Sequence, residues 1–415
     1  MDGEARSSKK PRGDPGSGLT AFTLRLAKQL AEGDGGRKIV FSPLSIYAAL
    51  ALVAAGSRGA TLDELLALLG AASRNELAEF ARGVAERALT DRSGSGGPLV
   101  AFACGLWHEK TVALKPSYHA AAVESYMADT CAADFKNNAE KARKKINNWV
   151  SKSTNDLITE ILPPGSVHSE IGIVLANAIY FMGAWSEPFS EKGTEDRPFY
   201  RLDGSHVRAP FMTRSRTDQF IKPHDGFKLL KLPYKMKYSS HHLWLEDDQS
   251  DESDEGAKFS MCIFLPDTHN GLPGLIDEMA SSPSFLWDHL PRRRVEVGEF
   301  RLPKFKLSFS SEINGVLKAM GLKATFDAGK ADLCDMLEGS LPLVVEHVFH
   351  KAVIEVNEKG TEATASTALT MRLCCASFSE PVDFVANHPF VFFVVEEVSS
   401  AVVFMAHVLD PTTSA

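Results

Sequence analysis

No two of the six cysteines (Cys104, Cys131, Cys262, Cys334, Cys374 and Cys375) show CxxC or zinc-finger spacing. That leaves neither a disulfide framework nor a metal cage to build on, and free thiols fit a reducing compartment. An excess of positive charge is missing too. The formal net charge of −8 gives no general attraction to nucleic acid or to an anionic membrane. The opening MDGEARSSKKPRGDPGSG contains no apolar run of the secretory kind, and its SKKPR fits a disordered basic tail or a nuclear-localisation patch. Long hydrophobic runs are scarce. The most membrane-like stretch, IVFSPLSIYAALALVAAG (Ile39–Gly56), is broken by Ser42, Pro43 and Ser45 and falls short of spanning about 30 Å of hydrocarbon. These absences predict a soluble, cytoplasmic or nucleocytoplasmic protein with no signal peptide.

Catalytic signatures are equally sparse. The chain has no GxxxxGK(S/T) phosphate loop, no GxGxxG, no GxSxG elbow and no cysteine-protease context around any Cys. His241–His242 and Cys374–Cys375 are adjacent pairs, which alone make weak metal sites. The acidic run LEDDQSDESDEGAK (245–258) lacks EF-hand spacing and reads as a loop insertion between two strands. No enzyme activity, metal or cofactor is expected.

What is present is an ordinary globular composition, 44% hydrophobic and 24% charged, with helices first and strands later. Helical spacing runs through LTAFTLRLAKQLAEG up to Gly33. Ser42 and Pro43 stand as N-cap and first residue of a second helix, and Thr61 with Glu64 have capping-box spacing for a third. Residues 140–158 predict an amphipathic helix whose Lys141, Arg143, Lys144 and Lys145 form a solvated basic face. LVAFACGLWHE reads as a strand, and IGIVLANAIYFMGAW as a central strand buried on both faces. FKLLKLPY, FSMCIFLP, VEVGEFRLPKFKLSFS, AVIEV, FVFFVVEE and AVVFMAHVL predict further strands, the last two forming a hairpin across VSS. With no repeat and no linker, the pattern predicts one α+β domain over 18–412 behind a disordered tail, 1–17.

One stretch stands apart: EKGTEATASTALTMRLCCASF (358–378). From Thr361 it alternates with period two, setting Thr361, Ala363, Ala365, Thr367 and Leu369 on one side and Glu362, Thr364, Ser366, Ala368 and Thr370 on the other. Such a strand of small residues fits an edge strand running into a loop. It also fits a segment that slides between two existing strands without displacing a packed core. Gly360 gives it a flexible start.

NEKGTEATAST resembles the hinge of inhibitory serpins. VFSPLSIYAAL, LANAIYFMGAWSEPF, LPKFKLSF with VLKAMGL, HKAVIEVNEKGTEA, and HPFVFFV with VVFMAHVLDP resemble serpin signature blocks in serpin order, and VDFVANHPF is most similar to plant serpins. The resemblance implies three β-sheets, eight to nine helices and a reactive-centre loop at about 358–381. It implies suicide-substrate inhibition, in which a protease cleaves the loop, forms an acyl-enzyme and is dragged as the loop enters the central sheet. By the same resemblance Glu358, Gly360, Thr361, Glu362, Ala363, Thr364, Ala365, Ser366 and Thr367 form the hinge. Ser42, Ser45, Asn177 and His350 match the polar "shutter" behind the sheet, and Trp185 matches the "breach" where insertion begins. Family loop length counts to Cys374, so the reactive bond is expected at Cys374–Cys375, flanked by Leu373, Arg372 and Met371 as specificity residues. Cysteine there departs from the commoner plant Leu-Arg. Arg372 stands two residues early, which leaves an elastase-like protease, or a papain-like one reading Leu373, as the expected partner of a monomeric inhibitor. The alternative is a non-inhibitory serpin acting in storage or binding.

Overall fold

In a computed structural model the described residues are 15–33, 39–214, 217–236, 257–339, 343–360 and 380–413. The first half supplies α1 (Pro15–Gly33), β1 (Val40–Phe41), α2 (Pro43–Ala55), α3 (Gly59–Leu69), α4 (Arg74–Ala88), β2 (Leu99–Glu109), α5 (Pro116–Tyr126), β3 (Asp129–Ala133) and α6 (Phe135–Ser153). Strands then dominate: β4 (Ile173–Met182), β5 (Glu195–Tyr200), β6 (His206–Arg214), β7 (Asp218–His224), β8 (Phe227–Pro233) and β9 (Phe259–Pro266). After α7 (Leu272–Ser281) and α8 (Phe285–His289) come β10 (Val295–Pro303), β11 (Phe305–Glu312), α9 (Asn314–Ala319), β12 (Val345–Val356), β13 (Val382–Val385), β14 (Phe390–Glu396) and β15 (Ala401–Val408).

The strands form a five-stranded sheet, in the order β11-β12-β4-β2-β3, and a ten-stranded assembly. The latter is two layers, β1-β15-β14-β9-β8-β7 and β10-β6-β5 with β13. Among the described residues they are joined where Val295 and Glu296 pair with Gln219 and Asp218 and the Val297 N–H bonds the Thr217 carbonyl. Three sheets and, among the described residues, nine α-helices make the α+β architecture that the sequence implied.

The five-stranded sheet is covered on both faces, which is why β4 reads as an unbroken apolar run. Its inner face (Ile173, Leu175, Ile179 and Phe181) joins the main core with α2, while Val174, Ala176, Ala178 and Tyr180 pack beneath α6 and the 158–171 segment. On the α6 side Trp107 meets Trp149 edge-on at 5.6 Å. α2 is buried along nearly its whole length, each large aliphatic side chain contributing roughly 1.5–3 kcal/mol. Ser42 caps it by accepting from the Ser45 N–H, with Pro43 at its first position.

Four local expectations are corrected. Thr61 and Glu64 do not form a capping box: α3 starts earlier, at Gly59. Thr61 Oγ1 accepts from the Asp332 N–H, and Glu64 accepts from the N–H groups of Lys323 and Ala324. Tertiary partners won over the local cap. The basic helix runs 135–153 rather than 140–158, because the Asp134 side chain caps it upstream and the turn at Asn155 and Asp156, both at positive φ, ends it. Arg143 on that helix is buried, not solvated, and bonds Glu140, Glu160 and the Leu162 carbonyl. Finally, VEVGEFRLPKFKLSFS is two strands in different sheets, β10 and β11, parted at Lys304 just after Pro303, which has no N–H to donate.

Candidate functional site

β4 and β12 lie side by side and parallel in the middle of the sheet, paired from Ile173↔Val345 to Phe181↔Ile354. Their other neighbours, β2 and β11, run antiparallel to them. Parallel rungs are slanted and slightly weaker per residue than antiparallel ones, and of the two parallel pairs in this sheet, β4–β12 and the edge pair β2–β3, this seam is the one flanked by strands on both sides.

Half-way along, a polar cluster bolts the seam to α2. Asn177 on β4 and His350 on β12 are register partners, and both face the start of α2. Asn177 Oδ1 accepts from Ser45 Oγ at 2.7 Å and from His350 Nδ1 at 2.8 Å, while its Nδ2 donates to the Ser45 carbonyl at 3.0 Å. His350 Nε2 accepts from the Ser42 N–H at 3.1 Å. With Nδ1 donating and Nε2 accepting, the imidazole is neutral. Ser42, Ser45, Asn177 and His350 are all buried, and each of their polar side chains has a partner. Cys104 on β2, the register partner of Asn177, is buried beside them, and burial pushes its thiol up to about 12, leaving it inert.

Burial lowers the His350 pKa to about 3. A base whose folded pKa lies below its unfolded value of about 6.5 stabilises fully above that pH and progressively less down to the folded value. His350 is therefore expected to withdraw on the order of 2 kcal/mol of stability between pH 6.5 and 5. His407, buried and lowered to about 4, acts in the same sense. A thermal-unfolding series should show a falling midpoint below pH 6.5, and a flat profile down to pH 4.5 would contradict this account.

At the upper end β12 leaves the sheet at Val356 and enters a tight turn closed by two backbone bonds of 3.2 Å between Asn357 and Gly360. Trp185 lies over it: its indole Nε1 donates to the Asn357 carbonyl at 2.9 Å, and its backbone N–H donates to the Lys359 carbonyl at 3.0 Å. The indole stacks on Tyr234 at 4.6 Å. Gly360 adopts φ +100, and a Cβ there would sit 2.3 Å from the Gly183 carbonyl oxygen, so only glycine fits. Glu358 points inward, accepting from Thr194 Oγ1 at 2.6 Å and paired with Lys304 Nζ at 2.8 Å. Burial raises its pKa, but the Lys304 and Thr194 bonds outweigh burial and hold the carboxyl below its usual value.

Ser42, Ser45, Asn177 and His350 are thus brought together at mid-seam, and Trp185, Glu358 and Gly360 at its top. The remaining hinge positions (Thr361, Glu362, Ala363, Thr364, Ala365, Ser366 and Thr367), the residues Met371, Arg372 and Leu373, and the Cys374–Cys375 bond lie outside the described residues. So does most of the acidic run, up to residue 256. Sequence reading missed Lys304, Thr194 and Tyr234. Pro303 within the apparent strand, with the slip of apolar phase beside it, was the local signal pointing to Lys304; Thr194 and Tyr234 had none.

Comparison with known proteins agrees with this geometry. The family model described as "Serpin (serine protease inhibitor)" matches residues 17–411. Serpin-Z2A of Oryza sativa subsp. japonica is 57% identical over 97% of this chain and 98% of its own length. Serpin-Z1C of Triticum aestivum is 42% identical over 95% and 96%. The solved structure of Arabidopsis AtSerpin1, in a native stressed conformation, superposes with a TM-score of 0.85 at 38% identity, covering 97% of this chain and all of that one. With both its fold and its sequence matching, the chain belongs to the serpin family of serine protease inhibitors.

Proposed function

We propose that this chain is a suicide-substrate inhibitor that traps a protease as a covalent acyl-enzyme by inserting its own loop between β4 and β12. The single observation that carries this reading is the place of the Gly360 turn, at the upper end of a seam between parallel strands. A segment leaving that turn and running down the seam is antiparallel to both neighbours. One parallel ladder is exchanged for two antiparallel ones, a favourable change. The small side chains from Ala363 to Thr367 suit a slot between packed strands, and none in that run is proline or charged.

In this reading the protease nucleophile adds to the Cys374 carbonyl, the Cys375 amine leaves, and the acyl-enzyme on Cys374 is carried away from the site of attack before water completes hydrolysis. The chain works as a monomer, without cofactor, membrane or nucleic acid. Leu373 one residue upstream suits a papain-like cysteine protease, whereas the small Cys374 side chain suits an elastase-like pocket; we favour the former. Free thiols suit a cytoplasmic or nucleocytoplasmic setting.

Intact-mass analysis after mixing with a papain-like protease, an elastase-like protease and trypsin, each separately, tests the reading. A covalent complex plus a fragment starting at Cys375 is expected with the papain-like enzyme. A fragment starting at Leu373 would move the bond to Arg372 and the target to trypsin-like enzymes. Cleavage with no complex from any of the three would overturn the inhibitory reading in favour of a storage or binding role.

A further inference from the structure

The lower end of the seam is closed differently from the rest. The register of β12 against β4 slips between Val345↔Ile173 and His347↔Val174, leaving Glu346 without a register partner on β4. Its carboxylate takes that place. Oε1 accepts from the Gly172 N–H at 3.1 Å and Oε2 from the Ile173 N–H at 2.8 Å, so one side chain holds two successive donors of the neighbouring strand. The Glu346 backbone is braced from behind, since Asn314 Nδ2 donates to its carbonyl and Asn314 Oδ1 accepts from the Val348 N–H. Gly172 is pinned on the other side, where its carbonyl accepts from Glu109 N–H at 2.8 Å.

We infer that Glu346 is a latch on the lower seam, a positioning residue that occupies β4 donors the last rungs of an inserting strand would need, and so limits how readily insertion runs to completion. The inference rests on the proposed insertion mechanism. A strand entering from the Gly360 turn meets the upper rungs first and the His350–Asn177 pair next. At the Gly172–Ile173 level it finds donors already engaged by a charged acceptor, and charge-assisted bonds are the strong ones. Burial raises the Glu346 pKa even though the Ile173 and Gly172 N–H bonds oppose the rise, as expected of an acceptor held between strands. Insertion must pull this carboxylate off its donors, and only completed insertion keeps a protease trapped.

The test follows uptake by the intact protein of a synthetic peptide with the chain's own 361–371 sequence, alongside the yield of covalent complex. Glu346→Ala is expected to speed uptake by about tenfold or more and to raise the fraction of attacks ending in complex. Glu346→Gln, which keeps one acceptor oxygen, should fall between. Leu229→Ala, a cavity in buried β8 of the other sheet, serves as the control for general destabilisation. It should lower the unfolding midpoint without matching the gain in uptake. Equal uptake by Glu346→Ala and wild type, or an equal gain in Leu229→Ala, would overturn the latch while leaving the insertion mechanism standing. Failure of the wild type both to take up peptide and to form any complex would overturn both.

Discussion

Replacing Thr361 with arginine should turn the inhibitor into a substrate: cleavage continues, while the fraction of attacks that end in a covalent complex falls at least about tenfold. Position 361 follows Gly360, whose backbone is held against Gly183 and Trp185 at the top of the seam. In the proposed mechanism it is the first residue to enter between β4 and β12, where both faces of the sheet are buried. A guanidinium moved there without a partner carries a penalty of several kcal/mol. Each roughly 1.4 kcal/mol lost from the insertion step shifts the competition between trapping and hydrolysis about tenfold. Insertion is proposed to follow cleavage, so the unfolding midpoint of the uncleaved variant should stay near wild type. Unaltered complex yield in Thr361→Arg would show that this residue does not enter the sheet.

Reversing the charge at Glu358 acts on the starting fold instead. Its side chain lies 9% exposed between Lys304 and Thr194, with Lys304 itself 34% exposed. Glu358→Lys sets two ammonium groups against each other and strips Thr194 Oγ1 of its acceptor. The expected loss is about 2–3 kcal/mol, somewhat below the roughly 3–5 kcal/mol typical of breaking a fully buried pair, because Lys304 keeps access to water. Loosening the 357–360 turn also frees the upper seam, whose strand edges then become available to a second molecule. Thermal unfolding should show the drop, and size-exclusion chromatography after mild heating should show self-association. Lys304→Glu in the same chain should restore much of the stability, which an effect on backbone conformation alone would not.

How much of this was legible without coordinates depended on whether the partners were close in sequence. The cap formed by Ser42 and Pro43 is local and was read correctly. The double-sided burial of β4 shows in composition alone, since IVLANAIYFM offers no polar face beyond Asn177. Thr61 and Glu64 misled because their spacing is local while their partners lie between residues 323 and 332. The break at Lys304 was overlooked although the apolar phase slips there, from Phe300 and Leu302 to Phe305, Leu307 and Phe309, and β10 and β11 belong to different sheets. His350 and Asn177 are 173 residues apart, as are Glu346 and Ile173. No local pattern announces such pairings. Family resemblance supplied the first of them, and only the register of β4 against β12 revealed the second.

The most direct test of the central claim compares the thermal unfolding of the intact protein with that of protein cleaved in its loop by a protease that then dissociates. If the freed loop enters between β4 and β12, ten or so new rungs on each side should raise the midpoint by more than about 10 °C. An unchanged or lower midpoint after verified cleavage would mean that the seam does not accept the loop, and the insertion mechanism would fail for this chain.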